Sequence, residues 1–349
     1  DMTRTQTVIK PNDQRIIWGG AVSVQHGEDW LQPWRLPCDK LPFFPPDGIR
    51  TAAAKPSGGR LRFATDAESL VFHVTPFADE GRADLLVDGT RHESLAFDRG
   101  TAILRFDALP AGLKTIDFWP CQTVPFRLRR IEIPQGAQFA HCADNRPRWI
   151  TYGSSITHCG AADGPSCVWP GIVAREQGLN LTSLGFGGQC HLDPMVAKLI
   201  RDLPADLISV KAGINIYGGG SLSERSFLPA LLGTIHTIRE GHPDIPFVVC
   251  SAIYSPNRET TKNRVGFTLQ AMRAEVEEAV RICRARGDSN LYYVDGLDLF
   301  GPQLAEFLPD NLHPNGEGYK KLAANFMHEV FDGLGIRARQ DSESAVPSS

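Results

Sequence analysis

The segment Arg148-Trp-Ile-Thr-Tyr-Gly153-Ser154-Ser155-Ile156-Thr157 ends an apolar run on a glycine and two small hydroxyl residues. Far downstream, Asp310-Asn311-Leu312-His313-Pro314 sets a carboxylate three residues ahead of an imidazole. A serine hydroxyl is a weak nucleophile; it needs an adjacent base, and the base needs a third group to hold its tautomer. His313 is a candidate base because a loop bounded by Pro309 and Pro314 keeps its ring out of a core. Asp310 can turn back within that loop to accept from the imidazole. Plainer readings stand beside these. Gly-Ser-Ser is ordinary turn chemistry, and Asp310 or Asn315 could cap a helix with His313 at the surface. Two more segments, Gly185-Phe-Gly-Gly-Gln-Cys190 and Ala212-Gly-Ile-Asn-Ile216, supply what an oxyanion requires. Their glycines let backbone N–H groups face a ligand, and the asparagine amide adds a donor. Either alone reads equally well as a tight turn.

The first, third and fourth of these segments each follow a short apolar strand candidate, at 149–152, 181–184 and 207–211; further candidates lie at 247–251 and 291–294. Helical patterns fall between them. Ser166 could cap a helix carrying Trp169, Ile172 and Val173. Another pattern runs over 194–201. Leu228, Leu231, Leu232, Ile235 and Ile238 share one face. A longer pattern spans 267–283, and a last helix runs from Asn315 or Gly316 to about Leu334. Strands alternating with helices predict a parallel sheet covered on both faces, with ligands at the carboxyl ends of its strands.

The first third is different. Short strand candidates at 61–65, 69–75, 83–87, 101–106, 114–119 and 126–133 are separated by Pro56-Ser-Gly-Gly59, Asp88-Gly89, Arg99-Gly100 and Leu109-Pro-Ala-Gly112. Such spacing, with almost no helical period, predicts an antiparallel β-sandwich. A Pro-rich loop between Trp30 and Pro46 also carries Trp34, Phe43 and Phe44; these aromatics are expected to pack under their own loop, the alternative being a platform for stacking a sugar or flat ring. The expected division is a β-sandwich domain over 1–140, a catalytic domain over 147–336 and a disordered tail over 337–349.

Hydrophobic content of 42% and charged content of 22% are ordinary for a globular chain. A net charge of −4 and a pI near 6.2 argue against nucleic-acid or anionic-membrane partners. No apolar run approaches the ~20 residues that span a bilayer. Asp1 precedes Met2 and reads as an extra residue ahead of the natural start; residues 3–12 hold no apolar signal core, so a cytoplasmic protein is expected. Eight cysteines without a C-x-x-C pair read as reduced, mostly buried thiols, with a Cys159–Cys167 bridge left open.

In this chain order the four segments resemble the SGNH (GDSL) hydrolase family, and the resemblance spans about residues 147 to 335. It implies a flavodoxin-like three-layer α/β/α domain. Position by position, it implies Ser155 as nucleophile, His313 as base and Asp310 as the orienting acid. Ser155 N–H, Gly188 N–H and the Asn215 amide would form the oxyanion hole, and no metal or organic cofactor is implied. The residues after the serine, Ile156-Thr157, exclude the G-x-S-x-G elbow of α/β-hydrolases. Ser154 stands where the family often has aspartate, a replacement shared by a sub-branch with Tyr-Gly-x-Ser-Ile-Thr. Ile216 stands where aspartate often follows the asparagine, which suggests a less polar pocket. A sandwich, carbohydrate-binding-module-like, ahead of such a domain is similar to certain carbohydrate esterases and to acyltransferases of tetracycline pathways. The implied chemistry is acyl transfer through an acyl-Ser155, from a small thioester or ester donor to a hydroxyl of a natural product such as a tetracycline. The alternative acceptor is water, which would make the protein an esterase. The motifs are common to both.

Overall fold

The computed structural model describes residues 6–338. Its N-terminal part contains β1 (Gln6–Ile9), β2 (Ile17–Gly19), β3 (Ser23–His26), β4 (Leu31–Trp34), α1 (Asp47–Ala53), β5 (Arg60–Thr65), β6 (Leu70–Val74), β7 (Gly81–Val87), β8 (Thr90–Phe97), β9 (Ile103–Phe106), β10 (Lys114–Trp119), β11 (Leu128–Pro134) and β12 (Phe139–Ala140). These strands form two antiparallel sheets. One runs β3-β4-β11-β6-β9 with β1 also on β11; the other runs β12-β5-β10-β7-β8 with β2 also on β5. Between them lies a core rich in phenylalanine: Phe63, Phe72, Phe106, Phe118 and Phe126 have no exposed surface. Phe72 and Phe118 stack at 4.2 Å. This is the expected sandwich, with more strands than periodicity alone indicates. β8 is the informative omission. Its residues are polar and largely exposed, and it pairs with β7 alone at the sheet edge, so only Phe97 at its end is buried.

The C-terminal part contains β13 (Arg148–Gly153), α2 (Ser155–His158), α3 (Trp169–Gln177), β14 (Asn180–Gly185), α4 (Pro194–Asp202), β15 (Leu207–Lys211), α5 (Ile214–Gly219), α6 (Phe227–Gly241), β16 (Phe247–Cys250), α7 (Leu269–Ala285), β17 (Leu291–Val294), α8 (Gly296–Leu299) and α9 (Gly316–Met327). All five strands are parallel, in the order β14-β13-β15-β16-β17. Being covered on both faces, β15, β16 and β17 are short, largely apolar runs, whereas β14 at the edge carries only Leu181 and Leu184. Alternate residues enter two cores: Ile150 and Tyr152 face α4, α6 and α7, while Trp149 faces α3 and α9. Trp149 Nε1 donates to Ser209 Oγ at 3.0 Å, which satisfies a buried donor inside that second core.

Two expectations need correction or limit, and the open Cys159–Cys167 pairing is decided. Ser166 does not cap α3. Val168 occupies the cap position, and Ser166 instead donates from both N–H and Oγ (2.9 and 2.6 Å) to the buried Asp84 of β7, joining the two parts of the molecule. Cys159 and Cys167 are both free thiols. The expected disordered tail lies, from 339 on, outside the described residues. A further feature is not visible in sequence order: Leu36, Phe44, Ile49, Ala52 and Ala53 leave the sandwich and join the core on the α4/α6/α7 face of the parallel sheet.

Candidate active site

β13 ends at Gly153 with both its neighbours in place, β14 on one side and β15 on the other. Each of these three strands runs into a segment singled out by sequence. After β13, Ser154 takes extended backbone angles and caps α2, its Oγ accepting from Ile156 N–H at 3.2 Å. The Ser154 hydroxyl is therefore engaged and buried. Ser155 is the first residue of α2, and its Oγ lies 2.9 Å from His313 Nε2. Of the two adjacent serines, it is Ser155 that meets the imidazole.

The other ring nitrogen, His313 Nδ1, lies 2.6 Å from Asp310 Oδ2. Asp310 Oδ1 accepts from the backbone N–H groups of His313 (2.7 Å) and Leu312 (3.0 Å). With Nδ1–H donated to the carboxylate, Nε2 is left to accept the serine proton, as a general base requires. The burial of Asp310 alone would raise its carboxyl pKa. The hydrogen bonds from the His313 backbone and ring and from Leu312 outweigh that and bring it to about 2, so the carboxylate stays charged. Asn311 adopts a left-handed φ of 62°, which turns the loop back on itself. Ser255 Oγ then holds its carbonyl at 2.7 Å. Spacing gave no hint of Ser255, because its contact spans 56 positions.

Gly188 follows β14 at φ 73°, a conformation that a side chain would strain. Its N–H has no acceptor among the described residues. Its carbonyl accepts from His191 Nε2 at 3.0 Å, and His191 Nδ1 in turn lies 2.6 Å from Ser221 Oγ. This brace was also missed by sequence reasoning. A Cβ on Gly187 would lie 3.9 Å from Ser155 Cβ, so the glycine loop passes directly beside the helix that Ser155 begins. Asn215, near the start of α5, accepts from Cys190 N–H through Oδ1 at 2.9 Å. That bond fixes the amide plane and leaves its NH2 group without an acceptor among the described residues. Together with the N–H of Ser155 at the helix start, these are three donors without an acceptor among the described residues, on segments that leave adjacent strands.

Ile216 does not line this site. It is fully buried in the core beneath the parallel sheet, because the turn of α5 that exposes Asn215 points its neighbour inward, and the expectation of a drier pocket loses its support. The loop aromatics divide. Phe44 is buried, and Trp34 packs on the same core with Nε1 donating to Gln25 at 2.9 Å. Arg127 lies over the Trp30 ring at 4.2 Å. Only Phe43 presents an open face, 62% exposed. The loop carrying it approaches the site, since a Cβ on Gly48 would come within 2.5 Å of Gln189 Nε2. A cavity of about 590 Å³ lies elsewhere, against Arg239, Asp288 and Tyr292, and none of Ser155, Asp310 and His313 lines it. Side-chain geometry, not concavity, marks the site.

Residues 147–331 match the GDSL-like lipase/acylhydrolase family, and residues 16–129 match the SsfX3 N-terminal domain. No curated protein sequence matches the chain significantly. Among solved structures, the chain is similar to the salicylyl-acyltransferase SsfX3 from a tetracycline biosynthetic pathway. The two are 34% identical with a TM-score of 0.90, and 95% of this chain and 98% of that one are covered. It shares its fold with a family two carbohydrate esterase from Clostridium thermocellum, solved with cellohexaose (14% identity, TM-score 0.68, 92% and 99% covered). The same holds for a family two carbohydrate esterase from Cellvibrio japonicus (12% identity, TM-score 0.64, 95% and 99% covered). No helix among the described residues is long and apolar enough to cross a membrane.

Proposed function

The chain belongs to the GDSL-like lipase/acylhydrolase family, and on that premise we propose that it is an acyltransferase working through an acyl-Ser155 intermediate. The observation that carries this reading is the unbroken chain of contacts from Ser155 Oγ through His313 to Asp310, at 2.9 and 2.6 Å. His313 Nε2 takes the hydroxyl proton as Oγ attacks the carbonyl carbon of a thioester or ester. The negative charge that develops on the carbonyl oxygen is held by Ser155 N–H, Gly188 N–H and the Asn215 amide. On collapse, His313 returns the proton to the leaving thiol or alcohol. An incoming hydroxyl then gives its proton to His313 as it attacks the acyl carbon, and when the Ser155 ester bond breaks His313 returns that proton to Oγ. Asp310 stabilises the imidazolium formed in each half.

The similarity to SsfX3 over nearly the whole of both chains supports an acyl or aryl donor and a hydroxyl on a natural product such as a tetracycline. The shared fold with the carbohydrate esterases keeps a second reading in view, in which water is the acceptor. In either case we assign the chemistry to residues 147–336 and a supporting role to the sandwich over 1–140. Phe43 is the remaining aromatic of the loop that could face a flat acceptor.

Mass measurement of the intact protein after brief exposure to an aryl thioester tests this. Wild type should gain one acyl group and Ser155→Ala none, and hydroxylated polycyclic acceptors should release it faster than water does. An acyl group retained by Ser155→Ala would refute the nucleophile; release indifferent to every hydroxyl acceptor would favour the esterase.

A further inference from the structure

We infer that Arg35 and His158 form a positioning device that holds the Gly187–Gly188 segment over the nucleophile, so that the N-terminal half shapes the oxyanion hole without touching substrate. This rests on the acyl-Ser155 reading above. Arg35 follows β4 and is 1% exposed. Among the described residues no carboxylate pairs with it. Its guanidinium instead donates to carbonyl groups: Nε to Lys55 at 2.7 Å, Nη2 to Ala52 at 2.8 Å, and Nη1 to Ser183 at 3.0 Å and to Gly185. Ser183 and Gly185 lie at the carboxyl end of β14, immediately before the glycine loop. A buried cation without a counter-ion is costly, and burial brings this guanidinium pKa down to about 9.

Arg35 also lies over the Phe186 ring at 5.1 Å, and its Nη2 is 3.3 Å from His158 Nδ1. His158 closes α2, the four-residue helix that Ser155 begins. Its Nε2–H donates to Gln122 O at 2.7 Å, and its own carbonyl accepts from Ser57 Oγ at 2.7 Å, both partners lying in the N-terminal half. Nδ1 is thereby left as an acceptor, and Gly187 N–H donates to it at 3.3 Å. One neutral ring thus links the helix bearing the nucleophile to the loop bearing an oxyanion donor. The spacing is tight: a Cβ on Gly185 would come 2.4 Å from His158 N. A peptide held on one side by this ring and on the other by His191 has little freedom to turn its N–H away.

A purely structural role for the ring predicts a loss of melting temperature and nothing specific to the transition state. The comparison of His158→Asn with His158→Gln separates the two. An asparagine oxygen falls near Nδ1 and can still accept from Gly187. A glutamine amide falls near Nε2, keeps the bond to Gln122 and leaves Gly187 unpartnered. His158→Gln should lower kcat by roughly tenfold to a hundredfold with KM nearly unchanged, the scale of a small misplacement at the reacting centre. Affinity for an aryl trifluoromethyl ketone, which mimics the tetrahedral adduct, should fall by the same factor. His158→Asn should recover most of both. Equal kcat in the two variants, or losses that follow melting temperature alone, would overturn the inference. Should His158→Gln fail to fold, Ser57→Ala serves instead: a lowered kcat at constant KM supports the device, and an unchanged kcat overturns it. Ser155→Ala is run alongside. If it is inactive while His158→Gln keeps full activity, this inference falls and the nucleophile stands; if it stays active, the acyl-Ser155 reading falls first.

Discussion

Acid should destabilise this protein through one identifiable ring. His158 is 6% exposed, and burial, then the Arg35 guanidinium and Lys55, lower its pKa to about 3. An unfolded histidine titrates near ~6.5. Between those values the unfolded chain binds the extra proton and the folded one does not, so stability falls as pH drops through that window. At pH 5 the unfolded state gains about 2 kcal/mol from this one site, and almost nothing at pH 7.5. The figure depends on the unfolded value and the pH, and holds for any folded value well below 5. With an unfolding entropy near 2.1 cal/mol/K per residue over a chain of this length, it amounts to ~3 °C in melting temperature. The assay is calorimetry or dichroism of wild type and His158→Asn at both pH values. Groups common to the two proteins cancel in the difference. Wild type should lose about 3 °C more than His158→Asn between pH 7.5 and 5. Identical losses would mean that the folded protein accommodates a charged ring at this position, and the neutral acceptor for Gly187 would go with it.

Three other outcomes are expected. Ser154→Ala should keep turnover and lose only ~1 kcal/mol of stability, the usual cost of a helix cap, while Ser155→Ala should lose on the order of a million-fold in rate with normal melting; the reverse pattern would move the nucleophile by one residue. Asn215→Ala should lower kcat roughly a hundred- to a thousandfold with little change in KM, and a raised KM at constant kcat would make Asn215 a ground-state binding residue instead. Asp310→Asn should cost on the order of ten-thousandfold in kcat through the wrong imidazole tautomer, and because the Asp310 pKa sits at about 2, no loss of wild-type activity between pH 6 and 4 should trace to this carboxyl; activity within tenfold of wild type would refute its role.

The parallel strands were readable because burial leaves them rich in apolar residues, although Thr151, Thr182, Ser183 and Ser209 interrupt the runs, and the segments that follow three of them carried the candidate site. Asp310 and His313 were readable for a local reason: three positions and one loop bring them together. What escaped is what local pattern cannot carry. β8 is a polar edge strand, and α1 hides in a Pro-rich stretch where seven helical residues make too few turns for a period. Arg35 meets Gly185 across 150 positions and His158 across 123, with no spacing rule to connect them. Ile216 misled because a family position says nothing of which way a short helix turns. The loop aromatics misled less, since two of the four, Trp34 and Phe44, do pack inward, but onto the core of the other half.

The segment from Leu36 to Ala53 has a consequence for how the chain comes off the ribosome. Its apolar residues are made early, yet the partners they bury against, from Ile150 on β13 to Leu291 on β17, are translated much later. The two sheets of the sandwich draw only on residues up to 140 and can close first. Leu36, Phe44 and Ile49 must then wait, uncovered, for the parallel sheet to form beneath them. Long-range pairing of this kind slows folding and leaves sticky surface exposed in the interval. Fast synthesis at high temperature should therefore favour inclusion bodies, and slow expression in the cold the native enzyme.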